Sequence, residues 1–235
     1  MQRIAVCVIG LSILFTVACP AQERLYSLTV SGSFTTSSKL FHHPNDPDEL
    51  IRSQFLPIHD LVGVGIDIRR SIESMRIQVG LSVEYISKKE SFSLPISGAD
   101  QPVPVKDGFT AVPIELSGYF IIPVGNETIQ LFMGGGGGMY IGARQYQYAD
   151  VSAPAIDRKV GYGIHVLSGL QYALKPTLSL RSELKFRDIQ FESVNKFTAS
   201  TAAYRGRIIA LDQSPFPSRI SIDDMTLTLS LAFHF

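Results

Sequence analysis

Apolar and polar residues alternate with a period of two along most of the chain. Leu25–Phe34 carries Tyr26, Leu28, Val30, Gly32 and Phe34 on one face and Ser27, Thr29, Ser31 and Ser33 on the other. The same rhythm runs through Val62–Arg70, Met75–Tyr85, Val112–Phe120, Ile129–Ile141, Gly161–Leu174, Leu178–Arg187 and Met225–Phe235. In Leu178–Arg187 the rows are Leu178, Leu180, Leu184 and Phe186 against Ser179, Arg181, Glu183, Lys185 and Arg187. A helix would put Arg181 and Lys185 on the face of the leucines, so the period predicts strands. Eight such segments emerge, each near the ~9–11 residues of a tilted membrane strand.

Alternation alone also fits a soluble β-sandwich or lipocalin-like barrel, with the apolar row enclosed. Two features favour the opposite orientation. Aromatic residues sit at the ends of the apolar rows: Tyr26, Phe34, Tyr85, Phe120, Tyr162, Tyr172, Phe186, Phe233 and Phe235. Rings of this kind prefer the boundary between hydrocarbon and headgroups. Connections also alternate in length. Those near Arg70–Ser74, Val124–Thr128 and Lys175–Thr177 are short; Thr35–Asp60, Ile86–Thr110, Ala143–Lys159 and Asp188–Asp224 are long. That is the pattern of tight periplasmic turns and long extracellular loops. The expected fold is all-β, an eight-stranded antiparallel up-and-down transmembrane barrel.

Composition agrees. Mean hydropathy is +0.17, charged residues are 18% and the formal net charge is zero. No run beyond the N-terminus reaches the ~20 apolar residues of a membrane helix. The balanced charge argues against a nucleic-acid partner. Residues 1–21 read as a signal peptide: Arg3, an apolar stretch Ile4–Val17, then Cys19-Pro20-Ala21 before a cut at Gln22. Lipidation at Cys19, in Thr16-Val17-Ala18-Cys19, and a retained anchor are the alternatives. With the cut, Cys7 and Cys19 both leave, and residues 22–235 form one barrel domain without a thiol.

The last segment, Leu227-Thr-Leu-Ser-Leu-Ala-Phe-His-Phe235, resembles the C-terminal β-signal of bacterial outer-membrane proteins. Val112-Pro113-Ile114 within Val112–Phe120, followed by the Gly-rich Leu131–Tyr140, is similar to the outer-membrane β-barrel domain family common in Bacteroidota, OmpA/OmpX-like barrels of the porin family. The resemblance implies the bacterial outer membrane and the barrel-assembly machinery as a partner in biogenesis. It implies little about activity.

With apolar rows toward lipid, the polar rows enclose Asp67, Arg69, Arg76, Glu84, Glu115, Arg181, Glu183, Lys185 and Arg187. A barrel of eight strands is just wide enough for side chains to fill. Buried charges persist only when paired, and both signs are present. The expectation is a plugged lumen, with a narrow ion or proton path as the alternative. Gly134–Gly138 lacks the following helix and Lys-Ser/Thr of a phosphate loop, and reads as a bending strand.

No catalytic, metal or cofactor site is expected. His42 and His43 neighbour Asp46, Asp48 and Glu49, but adjacent residues of an extended chain point apart. Ser168 and His165 fall on opposite faces of one strand, and no Gly-x-Ser-x-Gly elbow occurs. The long loops are the expected functional surface, facing lipid, lipopolysaccharide or a protein partner. Arg205, Arg207 and Arg219 form a candidate anion site there. The leading reading is a structural, adhesive or interaction barrel. An accessory barrel of a secretion or gliding apparatus, resembling the PorT-like proteins, and a lipid-modifying enzyme are the alternatives.

Overall fold

A computed structural model describes residues 24–95, 102–125 and 128–235. The predicted signal segment 1–21, with Cys7 and Cys19, lies outside them. The strands are β1 (Tyr26–Phe41), β2 (Phe55–Ile72), β3 (Ile77–Leu94), β4 (Val103–Gly125), β5 (Ile129–Tyr148), β6 (Val151–Ala153), β7 (Ala155–Lys159), β8 (Gly161–Lys175), β9 (Leu178–Asn195), β10 (Thr201–Tyr204), β11 (Arg207–Ala210), β12 (Phe216–Ile222) and β13 (Met225–His234). A short helix α1 (Glu49–Arg52) lies between β1 and β2.

A ring of 8 antiparallel strands closes in the order β1-β2-β3-β4-β5-β8-β9-β13, with β1 pairing both β2 and β13. Closure leaves no sheet edge within the ring, which is what allows strands to cross a membrane. At the end carrying Tyr26 and Phe235, the connections are tight. The β2–β3 link is a 3-10 turn at Glu73–Met75, and β8 joins β9 through Pro176-Thr177.

At the other end the ring extends well past the segments predicted as strands. Much of what reads as loop in Thr35–Asp60, Ile86–Thr110, Ala143–Lys159 and Asp188–Asp224 is paired strand. β12 continues the place of β13, pairing β1 at Lys39–Phe41 and β9 at Ile189–Asn195. Asp223-Asp224 interrupts the two: the Asp224 carboxylate accepts from Met225 N at 2.8 Å and Ser37 Oγ at 2.6 Å, and Asp223 pairs with Lys39. β7 continues β8 in the same way, pairing with the far end of β9.

The extension escapes a sequence pass because its polarity is reversed. Strand β9 turns the odd-numbered side chains from Ser179 to Asn195 inward without a break. As far as Phe186 the inward residues are Ser179 and then the charged Arg181, Glu183 and Lys185, and the outward ones are mostly apolar. From Asp188 to Glu192 the outward residues are Asp188, Gln190 and Glu192 and the inward ones Ile189 and Phe191, before the polar Ser193 and Asn195 close the inward row. Lipid surrounds the lower part and water the upper, so the same alternation must serve opposite solvents. The upper interior accordingly holds an apolar core that includes Leu40, Ile58, Leu61, Ile86, Phe109, Ile189, Phe191, Ile220 and Ile222.

Candidate functional site

The lower exterior is apolar around the ring. Val62, Val64, Ile66 and Ile68 on β2, Leu180 on β9, and Leu227, Leu229 and Leu231 on β13 are all exposed. The predicted girdle residues bound this belt in two groups. Phe34, Tyr85, Tyr162 and Phe186 lie toward the extended end; Tyr26, Phe120, Tyr172, Phe233 and Phe235 lie toward the tight turns. Tyr26 stacks on Phe235 with ring centroids 6.1 Å apart. Eight residues separate Tyr26 from Phe34, or about 26 Å along a strand. At the ~35–45° tilt of barrel strands that rises about 20 Å, somewhat less than the apolar band of about 25 Å in such barrels.

Eight of the nine residues predicted for the lumen are buried there: Asp67, Arg69, Glu84, Glu115, Arg181, Glu183, Lys185 and Arg187. They form two layers, each balanced between two carboxylates and two cations. In the layer nearer the tight turns, Arg69 bonds Asp67 at 2.8 Å and also Glu183. Arg181 reaches Asp67 at 3.5 Å, Thr29 at 3.0 Å and Gln171 at 2.9 Å. The Arg69 guanidinium lies 3.7 Å from the centroid of the Tyr119 ring. In the next layer, Glu115 accepts from Lys185 Nζ at 2.6 Å, Arg187 Nε at 3.0 Å and Tyr140 Oη at 2.8 Å. Arg187 and Ser33 both bond Glu84.

Arg76 is a correction. It has φ 53° at the turn before β3 and is exposed, outside the network. Its place in a left-handed turn removes it from the strand alternation that put it inside.

Bare backbone on β5 makes room for these layers. Ser117, Gly136 and His165 stand in one row across β4, β5 and β8. With no side chain between them, Ser117 Oγ and His165 Nε2 meet at 2.8 Å. A Cβ on Gly136 would lie 1.9 Å from Leu116 O. His165 Nδ1 is 3.9 Å from Glu115 Oε1 and has no hydrogen-bond partner among the described residues. Ser, His and Glu are the residue types of a hydrolytic triad. Here all three are buried, and Glu115 is already bonded to Lys185, Arg187 and Tyr140. A cavity of about 30 Å³ lies among Asp67, Arg69, Glu84, Tyr119, Glu183 and Lys185, and Ser117 does not line it. That is room for about one water molecule.

Three residues that sequence reasoning did not single out stand above the apolar core. Asp107 and Arg144 form a buried pair, with Arg144 Nε and Nη2 at 2.8 and 2.5 Å from the two carboxylate oxygens. Arg144 also lies 4.6 Å from the Tyr146 ring. Burial pushes the Asp107 carboxyl up, but bonds from Arg144 and His42 hold it below its ordinary value. Asn195 bonds the Arg144 and Ala153 carbonyls at 3.0 and 2.7 Å. The signal for Asp107 and Arg144 lay in segments read as loop. His42 turns in to Asp107 at 3.2 Å, whereas His43 is exposed.

The predicted arginine trio does not assemble. Arg219 lies in β12 and bonds Glu192 across the barrel wall at 3.2 Å. Arg205 and Arg207 belong to the separate β10–β11 hairpin. Sequence proximity in a long loop did not reveal that the loop divides between wall and hairpin.

No family model matches this chain, and no curated protein sequence matches it. Among solved structures it is similar to the outer membrane protein OprG from Pseudomonas aeruginosa, with 10% identity, a TM-score of 0.59, and 91% of this chain and 97% of that one covered. Neisserial surface protein A aligns with a TM-score of 0.48 and 10% identity over 89% of this chain and 97% of that one. At such identity the likeness concerns the fold. Closed ring, apolar belt and aromatic girdles together make this chain an outer-membrane β-barrel, resident in the bacterial outer membrane.

Proposed function

We propose that this chain is a closed barrel that acts through its extracellular end, in a structural, adhesive or interaction role, rather than as a pore or an enzyme. One observation carries the reading: the lumen is filled in two different ways in succession. Two charge-balanced layers occupy the membrane part, and an apolar core occupies the part above. An ion entering from outside would have to cross the apolar core without hydration, which is strongly unfavourable. The same core separates Ser117 and His165 from any extracellular substrate. The Val112-Pro113-Ile114 strand and the glycine run of β5 support grouping the chain with the Bacteroidota-type barrels.

The test is electrical. Purified barrel in a planar bilayer is expected to give no large stable conductance. Enlarging the lumen by Phe109→Ala together with Phe191→Ala should leave it closed, because the charged layers remain. A steady open channel from the unaltered chain would overturn the reading.

A further inference from the structure

Two tips of the extracellular end carry the most exposed large apolar side chains among the described residues: Ile208, 79% exposed, and Leu50, 76% exposed. Neither lies in the lipid belt, so both face water.

The tips differ in charge. Leu50 lies in α1, on the β1–β2 connection, with Ile51 and Phe55 also exposed. Asp46, Asp48 and Glu49 flank it in sequence, with Arg52 the cation of α1; Lys39 lies 5.7 Å from the Phe55 ring but is paired with Asp223. The connection is ordered from within: Asp48 Oδ1 accepts from Leu50 N and Asp46 Oδ1 from Asp48 N, both at 2.9 Å. Ile208 lies in the β10–β11 hairpin beside Arg205 and Arg207. Arg205 and Gly206 have φ 49° and 77°, the tight-turn geometry that matches strand twist. The hairpin is seated on the β5–β6 turn, where Ala203 N donates to Asp150 Oδ1 at 3.1 Å and Thr198 N to Ser152 O at 3.1 Å.

The ring sets these tips on opposite sides. Counting around it, the β1–β2 gap stands across from the β5–β8 gap. An acidic apolar knob therefore faces one way in the membrane plane, and a basic apolar hairpin the other. We propose that the two tips bind each other between neighbouring copies of this chain, Leu50 against Ile208 and the Asp46/Asp48/Glu49 edge against Arg205 and Arg207. Such a contact is head-to-tail, so it propagates into rows or closes into rings within the membrane. The occupant is a second copy because each tip sets beside its exposed apolar residue the charge that the other lacks, and lateral diffusion in a shared membrane brings opposite sides together. Exposed ion pairs are screened by salt, so assembly is salt-sensitive.

The inference rests on the reading that the extracellular end is the working surface. It is tested with full chain reconstituted in phospholipid vesicles, labelled for energy transfer between copies. Wild type is expected to associate, with about a tenfold loss between ~0.05 and ~0.5 M salt as screening shortens. Asp46→Lys/Glu49→Lys, which spares the Asp48 cap, and Arg205→Glu/Arg207→Glu should each lose association alone. An equal mixture of the two should regain it, since one then offers a basic tip where the other offers an acidic one. Unboiled gel mobility confirms that each variant is folded. Dispersed wild type, association indifferent to both reversals, or a mixture that stays dispersed overturns the inference. Conductance of the same vesicles reports the closed-lumen reading separately, so either can fail without the other.

Discussion

Glu115 illustrates how a carboxylate survives inside a membrane barrel. At 1% exposure it cannot be solvated, so Lys185, Arg187 and Tyr140 must replace its water. Removing its charge leaves two cations facing one remaining carboxylate, Glu84. Breaking one member of a buried ionic group costs about 3–5 kcal/mol. Glu115→Gln is therefore expected to lower stability by that order, read as a lower temperature at which the unboiled form converts to the unfolded mobility. Adding Lys185→Met should recover part of the loss, because it removes an uncompensated cation. If the single variant matched wild type, the layer would not hold the barrel together. These partners were legible only as a list of charges on one face. Which cation meets which carboxylate depends on ring closure, because Arg69 and Glu183 are 114 positions apart along the chain.

Strand β5 shows what a single element can and cannot reveal. Its glycine run was readable as a strand, because Met139, Tyr140 and Ile141 resume the alternation. The close approach of neighbouring backbone was not readable. Gly136→Ala is expected to destabilise by about 1–3 kcal/mol, as overpacking does, because its Cβ would meet Leu116 O at 1.9 Å. Gly32→Ala, facing outward with nothing within 4 Å, should be neutral or slightly stabilising. Denaturant titration of both variants checks the contrast; equal losses would contradict it. Strand β9 carries the complementary lesson. Its alternation runs from Leu178 to Asn195, yet a pass keyed to outward apolar residues stops at Arg187, where the surrounding solvent changes.

At the scale of the molecule, closure joins the two ends of the described barrel. Tyr26 N donates to Phe235 O at 3.0 Å, Phe235 N donates to Tyr26 O at 2.9 Å, and the rings stack. Deleting Phe235 removes one rung of the β1–β13 seam and one girdle ring together. Folding into lipid should slow and the folded fraction fall, as followed by the rise of heat-modifiable protein with time. Unchanged folding would assign Phe235 no part in closure. By itself, the sequence determined the class of fold, the lipid-facing rows and the girdle, because these follow from local alternation and from the solvent each side chain prefers. Only the tertiary structure decided the pairing of the buried charges, the apolar core above them, the exclusion of Arg76 and the division of the last long connection. Those depend on which strands become neighbours when the ring closes, and on where along each strand lipid gives way to water.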